Sequence, residues 1–187
     1  MNDTESRLSQ YVEETLRFSR ALNLTSVKDA ALFRRRFIEP SLALLAWMPE
    51  RGTLLDVGSG MGVPGVPLLL ARPGLRGVLV ERRKKRAEFL RHLARVLPLE
   101  AEVLDCDVRE ARGVTADVLV ARAVTRPGEL LTMCAPLVAA GGLAVLPTAL
   151  DMPPAEVAGW RYDGAARVPL DGSEQAVQRY RRTEGFT

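Results

Sequence analysis

Four glycines within eight positions, set directly after an apolar strand and an acid, leave a chain few folds to choose from. Residues 54–65 read Leu54-Leu55-Asp56-Val57-Gly58-Ser59-Gly60-Met61-Gly62-Val63-Pro64-Gly65. Glycine serves where backbone must turn with positive φ or pass close to a ligand. A loop of this kind between a strand and a helix sets a small molecule against backbone N–H groups at the helix N-terminus. The pattern predicts a site for a nucleotide-like cofactor in an α/β protein.

The surrounding texture agrees. Leu8, Tyr11, Val12, Thr15, Leu16, Ser19 and Leu22 recur at helical spacing. Asn23-Leu24-Thr25-Ser26 ends that stripe. A second helix is expected over Ala30 to Phe37, and a third after Pro40. From Thr53 the chain alternates. Strands are expected at Leu54–Val57, Gly77–Val80, Ala101–Leu104, Val118–Val120 and Leu143–Leu146. Helices are expected from Val66, over Arg82–Leu97 and over Glu129–Ala139, with Gly141-Gly142 as a turn. Strands alternating with helices imply a parallel sheet covered on both faces. Beyond Pro153-Pro154, Ala166–Leu170 and Ala176–Tyr180 suit two further strands. One domain over 1–187 is expected, with 1–50 as a helical N-terminal extension and 51–187 as the core.

Composition sets bounds. The 187 residues are 47% hydrophobic and 26% charged with net charge +3, an ordinary globular balance that permits a polyanionic partner. Two cysteines, Cys106 and Cys134, make neither a disulfide framework nor a zinc site and suit a reducing cytoplasm. Met1-Asn2-Asp3-Thr4-Glu5 is unlike a signal or transit peptide. Leu130 to Leu150 is free of charge for 21 residues, but Pro136, Gly141-Gly142 and Pro147 divide it into helix, turn and strand, so no membrane span is expected.

The identity of the cofactor rests on finer points. Gly60-x-Gly62-x-x-Gly65 fits a dinucleotide fingerprint, which is weak alone. The fuller pattern is Asp56-x-Gly58-x-Gly60-x-Gly62, with Glu81 at the end of the next strand, where an acid can accept from ribose hydroxyls. A nicotinamide enzyme would use the same acid, but only about forty residues follow the fifth strand, too few for a substrate domain. A tight strand-to-helix turn with no ligand is the plain alternative. The Asp-x-Gly-x-Gly-x-Gly pattern and Leu137-Val138-Ala139-Ala140-Gly141-Gly142-Leu143 resemble the class I S-adenosylmethionine-dependent methyltransferases. That resemblance implies a Rossmann-like, mostly parallel twisted sheet flanked by helices.

A closer resemblance lies in Asn23-Leu24-Thr25, Arg36 through Ser41-Leu42, and Gly62-Val63-Pro64-Gly65-Val66-Pro67-Leu68. Val80-Glu81, Lys84-Lys85, Phe89-Leu90-Arg91 and Arg122-Ala123 continue it. Over roughly residues 10–146 the chain resembles the RsmG (GidB) family. The resemblance implies methylation of guanine N7 in the decoding region of bacterial 16S rRNA, in the cytoplasm, on free rRNA or the small ribosomal subunit. It implies cofactor contacts from Gly58, Gly60 and Val63, from Glu81, from Asp107, Val108 and Arg109, and from Arg122; a monomer is expected. This chain has Phe37 where the family has His, Pro40 where it has Asp, and Pro147-Thr148 where it often has Lys-Gly.

Guanine N7 carries a lone pair and no proton, so transfer to it needs neither a general base nor a cysteine nucleophile, only alignment. Arg122, at the carboxyl edge of the fourth strand, is the candidate for orienting cofactor or guanine; a structural pairing with Asp56 or Asp117 is its alternative. Arg34-Arg35-Arg36 and Arg82-Arg83-Lys84-Lys85-Arg86 are either solvated faces or phosphate-binding runs, the second at an expected helix N-terminus that disfavours cations. His92 is expected at the surface, Cys106 and Cys134 in packing, and Trp47 and Trp160 outside any stacking platform. Rival readings are a methyltransferase of another RNA or a small molecule, a catalytically silent rRNA-binding assembly factor, and a nicotinamide-binding module.

Overall fold

The apolar runs of the sequence become the centre of a seven-stranded sheet in the computed structural model, which describes residues 3–122 and 124–184. Ala123, read beside Arg122, and Met1 and Asn2 of the polar N-terminus lie outside the described residues. The strands are β1 (Gly52–Val57), β2 (Leu75–Val80), β3 (Ala101–Leu104), β4 (Ala116–Ala121), β5 (Val138–Thr148), β6 (Trp160–Leu170) and β7 (Ser173–Arg182), in the order β3-β2-β1-β4-β5-β7-β6. β1 to β5 pair in parallel, and β7 runs antiparallel to both β5 and β6. Val57 lies level with Val80 on one side and Ala121 on the other, so three strands end together where the strand order reverses. Open α/β sheets bind ligands at such a switch point.

Alternation along β1 sends Leu54 into a core on one face and Leu55 into a core on the other. The first face is covered by α1 (Asp3–Leu22), α4 (Gly65–Ala71) and α5 (Lys84–Val96), the second by α6 (Pro127–Cys134). Leu8, Tyr11 and Val12 of α1 share the first core with Leu54, Val66 and Leu90.

Two expectations need correction. The break expected before Pro40 is absent: α2 (Ala30–Phe33) runs through a π turn at Arg34–Ile38 into α3 (Glu39–Ala43). Pro40 has no N–H for the Arg36 carbonyl four residues back. The helix widens just before it, the Glu39 N–H reaching the Arg34 carbonyl five residues back. Gly141-Gly142 is likewise no helix-to-strand turn. The helix ends at Cys134, a 3₁₀ turn covers Ala135–Leu137, and β5 carries both glycines as an irregularity. Ala116 faces Val138, yet Val118 faces Leu143. Gly141 has φ +79°, and a Cβ on Gly142 would lie 2.6 Å from a Val138 methyl. The charge-free 130–150 stretch is thus divided between α6 and β5, and among the described residues no helix is long and apolar enough to cross a membrane.

After β5 the chain crosses to β6 in an irregular segment held by buried side chains of β7. Gln178 donates to the Met152 carbonyl (2.7 Å), Tyr180 donates to Gln178 Oε1 (2.6 Å), and the Ala155 N–H donates to the Tyr180 oxygen (2.9 Å). β6 and β7 join through Asp171 (φ +44°) and Gly172 (φ +79°), with Leu170 facing Ser173. Two positive φ values in a two-residue loop are the signature of a type I′ hairpin turn.

Candidate functional site

The glycine loop leaves the carboxyl end of β1 and folds onto its neighbours. Gly58 and Ser59 donate to the Val80 carbonyl (2.8 and 3.1 Å). Gly62 and Val63 donate to the Ser59 carbonyl (2.6 and 3.2 Å). Gly60 donates to Glu81 Oε2 (3.0 Å), and Gly65, at the start of α4, to Asp56 Oδ2 (3.1 Å). The sequence reading set a ligand against N–H groups at that helix start; instead its first N–H is taken by Asp56. A pyrophosphate would need a row of free donors, which a loop satisfied in this way does not present. Gly58 has φ +67°, and a Cβ there would lie 2.5 Å from a Val124 methyl, so a side chain has no room. Tyr11, buried in α1, donates to the Met61 carbonyl (2.9 Å) and fixes the crest of the loop. Burial holds its phenol well above the usual range, so it stays a donor.

Asp56 is fully buried, and burial pushes its carboxyl up to about 7 against the opposing Gly65 hydrogen bond. Its Oδ1 has no partner among the described residues. Glu81 is buried at the end of β2, its Oε1 accepting the Arg83 N–H (2.8 Å). After β3, Asp107 caps the 3₁₀ turn Val108–Glu110 by accepting the Arg109 N–H (3.0 Å).

Gly58, Gly60, Val63, Glu81, Asp107, Val108, Arg109 and Arg122 all line one cavity of about 710 Å³ at the carboxyl ends of the strands. That size falls among small-molecule sites. Arg122 stands at one side. Its Nη1 donates to the Arg36 carbonyl (3.1 Å), and its guanidinium lies 5.0 Å from the centre of the Phe37 ring. Burial lowers its pKa, and the Tyr11 phenol opposes this. The alternative pairing with Asp56 or Asp117 is not made: Asp117 accepts the Thr53 N–H (2.7 Å), and among the described residues Arg122 has no ion pair. Arg122, Val124 and Thr125 also line a second cavity of about 490 Å³, bounded by Pro147, Thr148, Glu174 and Gln175.

Other expectations shift. Cys134 is buried, but Cys106 lines the larger cavity. Burial and the nearby Glu110, Asp105 and Asp107 carboxylates push its thiol up, so it is no thiolate nucleophile. His92 is not a bare surface residue: it meets Glu14 of α1 (Nε2–Oε2 2.6 Å) and packs edge-on to Phe18. Among the described residues no group of metal-ligating side chains gathers. α5 begins at Lys84, so Arg82 and Arg83 precede it and line the cavity with Arg86. The support Tyr11 gives the loop and the β6–β7 turn were not foreseen from the sequence, although Asp171-Gly172 signals the turn. Phe37, singled out only as a departure from the family pattern, proves to be the ring beside Arg122.

A sheet of this order with its cavity at the switch point defines a class I methyltransferase fold. A P. horikoshii TYW2 structure in complex with MeSAdo superposes with TM-score 0.64 at 14% identity, over 80% of this chain and 63% of that one. Residues 4–149 match the family profile of rRNA small subunit methyltransferase G (GidB), and the chain belongs to that family. It is 34% identical to the ribosomal RNA small subunit methyltransferase G of Roseiflexus sp. (strain RS-1), over 78% of this chain and 65% of that protein. It is 42% identical to the protein of the same name from Desulfotalea psychrophila, over 54% and 48%. The chain thus spans about half to two thirds of the length of these curated relatives.

Proposed function

We propose that the protein is an S-adenosylmethionine-dependent methyltransferase acting on guanine N7 in the decoding region of bacterial 16S rRNA. It works in the cytoplasm as a monomer, on the rRNA or the small ribosomal subunit. The carrying observation is the gathering of the glycine loop, Glu81, the Asp107–Arg109 segment and Arg122 around one cavity, in a chain of this family.

The residues present fit the cofactor. Each Glu81 oxygen accepts one backbone N–H and keeps a lone pair for ribose hydroxyls. Asp107, Val108 and Arg109 bound the adenine end, and Gly58, Gly60, Val63 and Arg122 the amino acid end. When bound, the cofactor supplies an electrophilic methyl group on a sulfonium. N7 offers its lone pair without losing a proton, so the protein's contribution is alignment and exclusion of water. Burial and the neighbouring carboxylates hold the Cys106 thiol in its protonated form, so it is not a nucleophile for the transfer. One domain, with 1–50 as a helical extension on a 51–187 core, is supported by Leu8, Tyr11 and Phe33 packing with Leu54 and Val66.

The test is chemical. 16S rRNA from host cells with and without the protein is probed for N7-methylguanosine by borohydride–aniline cleavage. Cleavage in the decoding region only when the protein is present is expected; the same pattern in both sinks the substrate assignment.

A further inference from the structure

The type I′ turn between β6 and β7 carries a carboxylate that reaches the other end of the chain. Asp171 Oδ2 lies 2.6 Å from Arg36 Nε and Oδ1 3.4 Å from Arg35 Nε, so one acid bridges two neighbouring arginines of the π turn. The same turn supplies what Arg122 rests on: the Arg36 carbonyl accepts its Nη1, and the Phe37 ring lies under its guanidinium. Pro40 has no N–H for that carbonyl, so the guanidinium takes a place a helical donor would otherwise claim. From the hairpin, Leu170, Glu174 and Gln175 line the second cavity, which shares Arg122 with the first.

We propose that Asp171 is a positioning residue for Arg122. By holding Arg35 and Arg36 it fixes the carbonyl and the ring beneath the guanidinium, and so sets the wall shared by the two cavities. The inference rests on the methyltransferase reading above. An exposed ion pair contributes little to stability. Alignment of acceptor with methyl group is far more sensitive, because a displacement of about 1 Å can cost as much as 100-fold in rate. The clamp therefore matters to transfer more than to folding. The opposing arginines hold the Asp171 carboxyl below its usual range, in keeping with a constant ion pair.

Asp171→Asn removes the charge and keeps the turn, since Asn-Gly also favours this geometry. The full chain is assayed in single-turnover methylation of small subunits from cells lacking the protein, with cofactor and subunit saturating. Asp171→Asn is expected to slow transfer about 3–10-fold at saturating cofactor while leaving the unfolding midpoint within error. In an Arg122→Lys background the same substitution is expected to change the rate less than about twofold, because its route to the site is already broken. Equal rates for wild type and Asp171→Asn would overturn the proposal. So would the same slowing factor in both backgrounds, which would make the effect independent of Arg122. A wild-type protein that methylates no subunit overturns the functional reading and the proposal together.

Discussion

The two basic runs look alike as sequence and differ as structure. Arg34-Arg35-Arg36 is paired from within, three cations meeting two carboxylates: Arg34 pairs with Glu5, and Arg35 and Arg36 share Asp171. In Arg82-Arg83-Lys84-Lys85, no side chain has a carboxylate within ion-pair distance among the described residues, and its first two members line the larger cavity. Neighbours decide whether a charge is spent on the fold or left for a partner. The first run is a clamp between the N-terminal helices and the C-terminal hairpin. The second is the stronger candidate for RNA phosphates, since unpaired cations beside a helix start have an unfavourable dipole to offset.

The largest expected effect separates the two most sharply. Replacing Arg82, Arg83 and Lys84 by alanine should weaken binding of decoding-region RNA by about 30–100-fold near 0.1 M salt. The log–log salt slope should fall by about 2, the unfolding midpoint changing little. Filter binding across a salt titration checks this, and an unaltered slope would end the phosphate reading of that run.

A charge turned inward gives the next effect. The Asp56 carboxyl titrates near 7 in the fold, above its ordinary 3.8. The folded state therefore holds this proton more tightly than the unfolded chain. That contribution is complete below about pH 4 and is lost as pH rises through 7, a fall on the order of a few kcal/mol. Asp56→Asn can still accept from Gly65, and its stability should be flat over that interval. Urea melts from pH 4 to 8 make the comparison; a fall of equal size in the variant would assign it to another group.

The smallest effect belongs to the paired run. Arg34, Arg35 and Arg36 changed together to alanine should cost about 1 kcal/mol of stability. The salt slope of RNA binding should change by less than about 1. A slope change matching that of the other run would show that RNA displaces Glu5 and Asp171, and the contrast would fail.

Much of this was legible in residues 52–146, where apolar runs and glycines carry their own rules. The β3 limits and the carboxyl ends of β1 and β2 follow from the sequence pattern, and Glu81 lies where the alternation puts it. The part of the cavity lining that follows strand ends, such as Gly58, Glu81, Asp107 and Arg122, was legible for the same reason. What could not be read depends on distant partners or on local exceptions. Pro40 reads as a boundary, yet a π turn carries the helix past it. Gly141-Gly142 reads as a turn, yet a strand can absorb the extra residues. Nothing in the sequence near Arg122 names Phe37 or the Arg36 carbonyl as its supports, and Asp171 meets its arginines across 135 and 136 positions.

The two ends of the sheet carry a consequence for assembly. β3 offers only four residues of ladder. At the other end, β6 is interrupted by a register shift between Tyr162 and Ala165, where Gly164 has φ +97°, and it contains Pro169. Short, bulged and proline-bearing margins are poor templates for another strand. Edge-to-edge pairing of the sheet is thereby disfavoured at both margins, and the cavities with the cationic surface beside them are the better-formed faces for a partner.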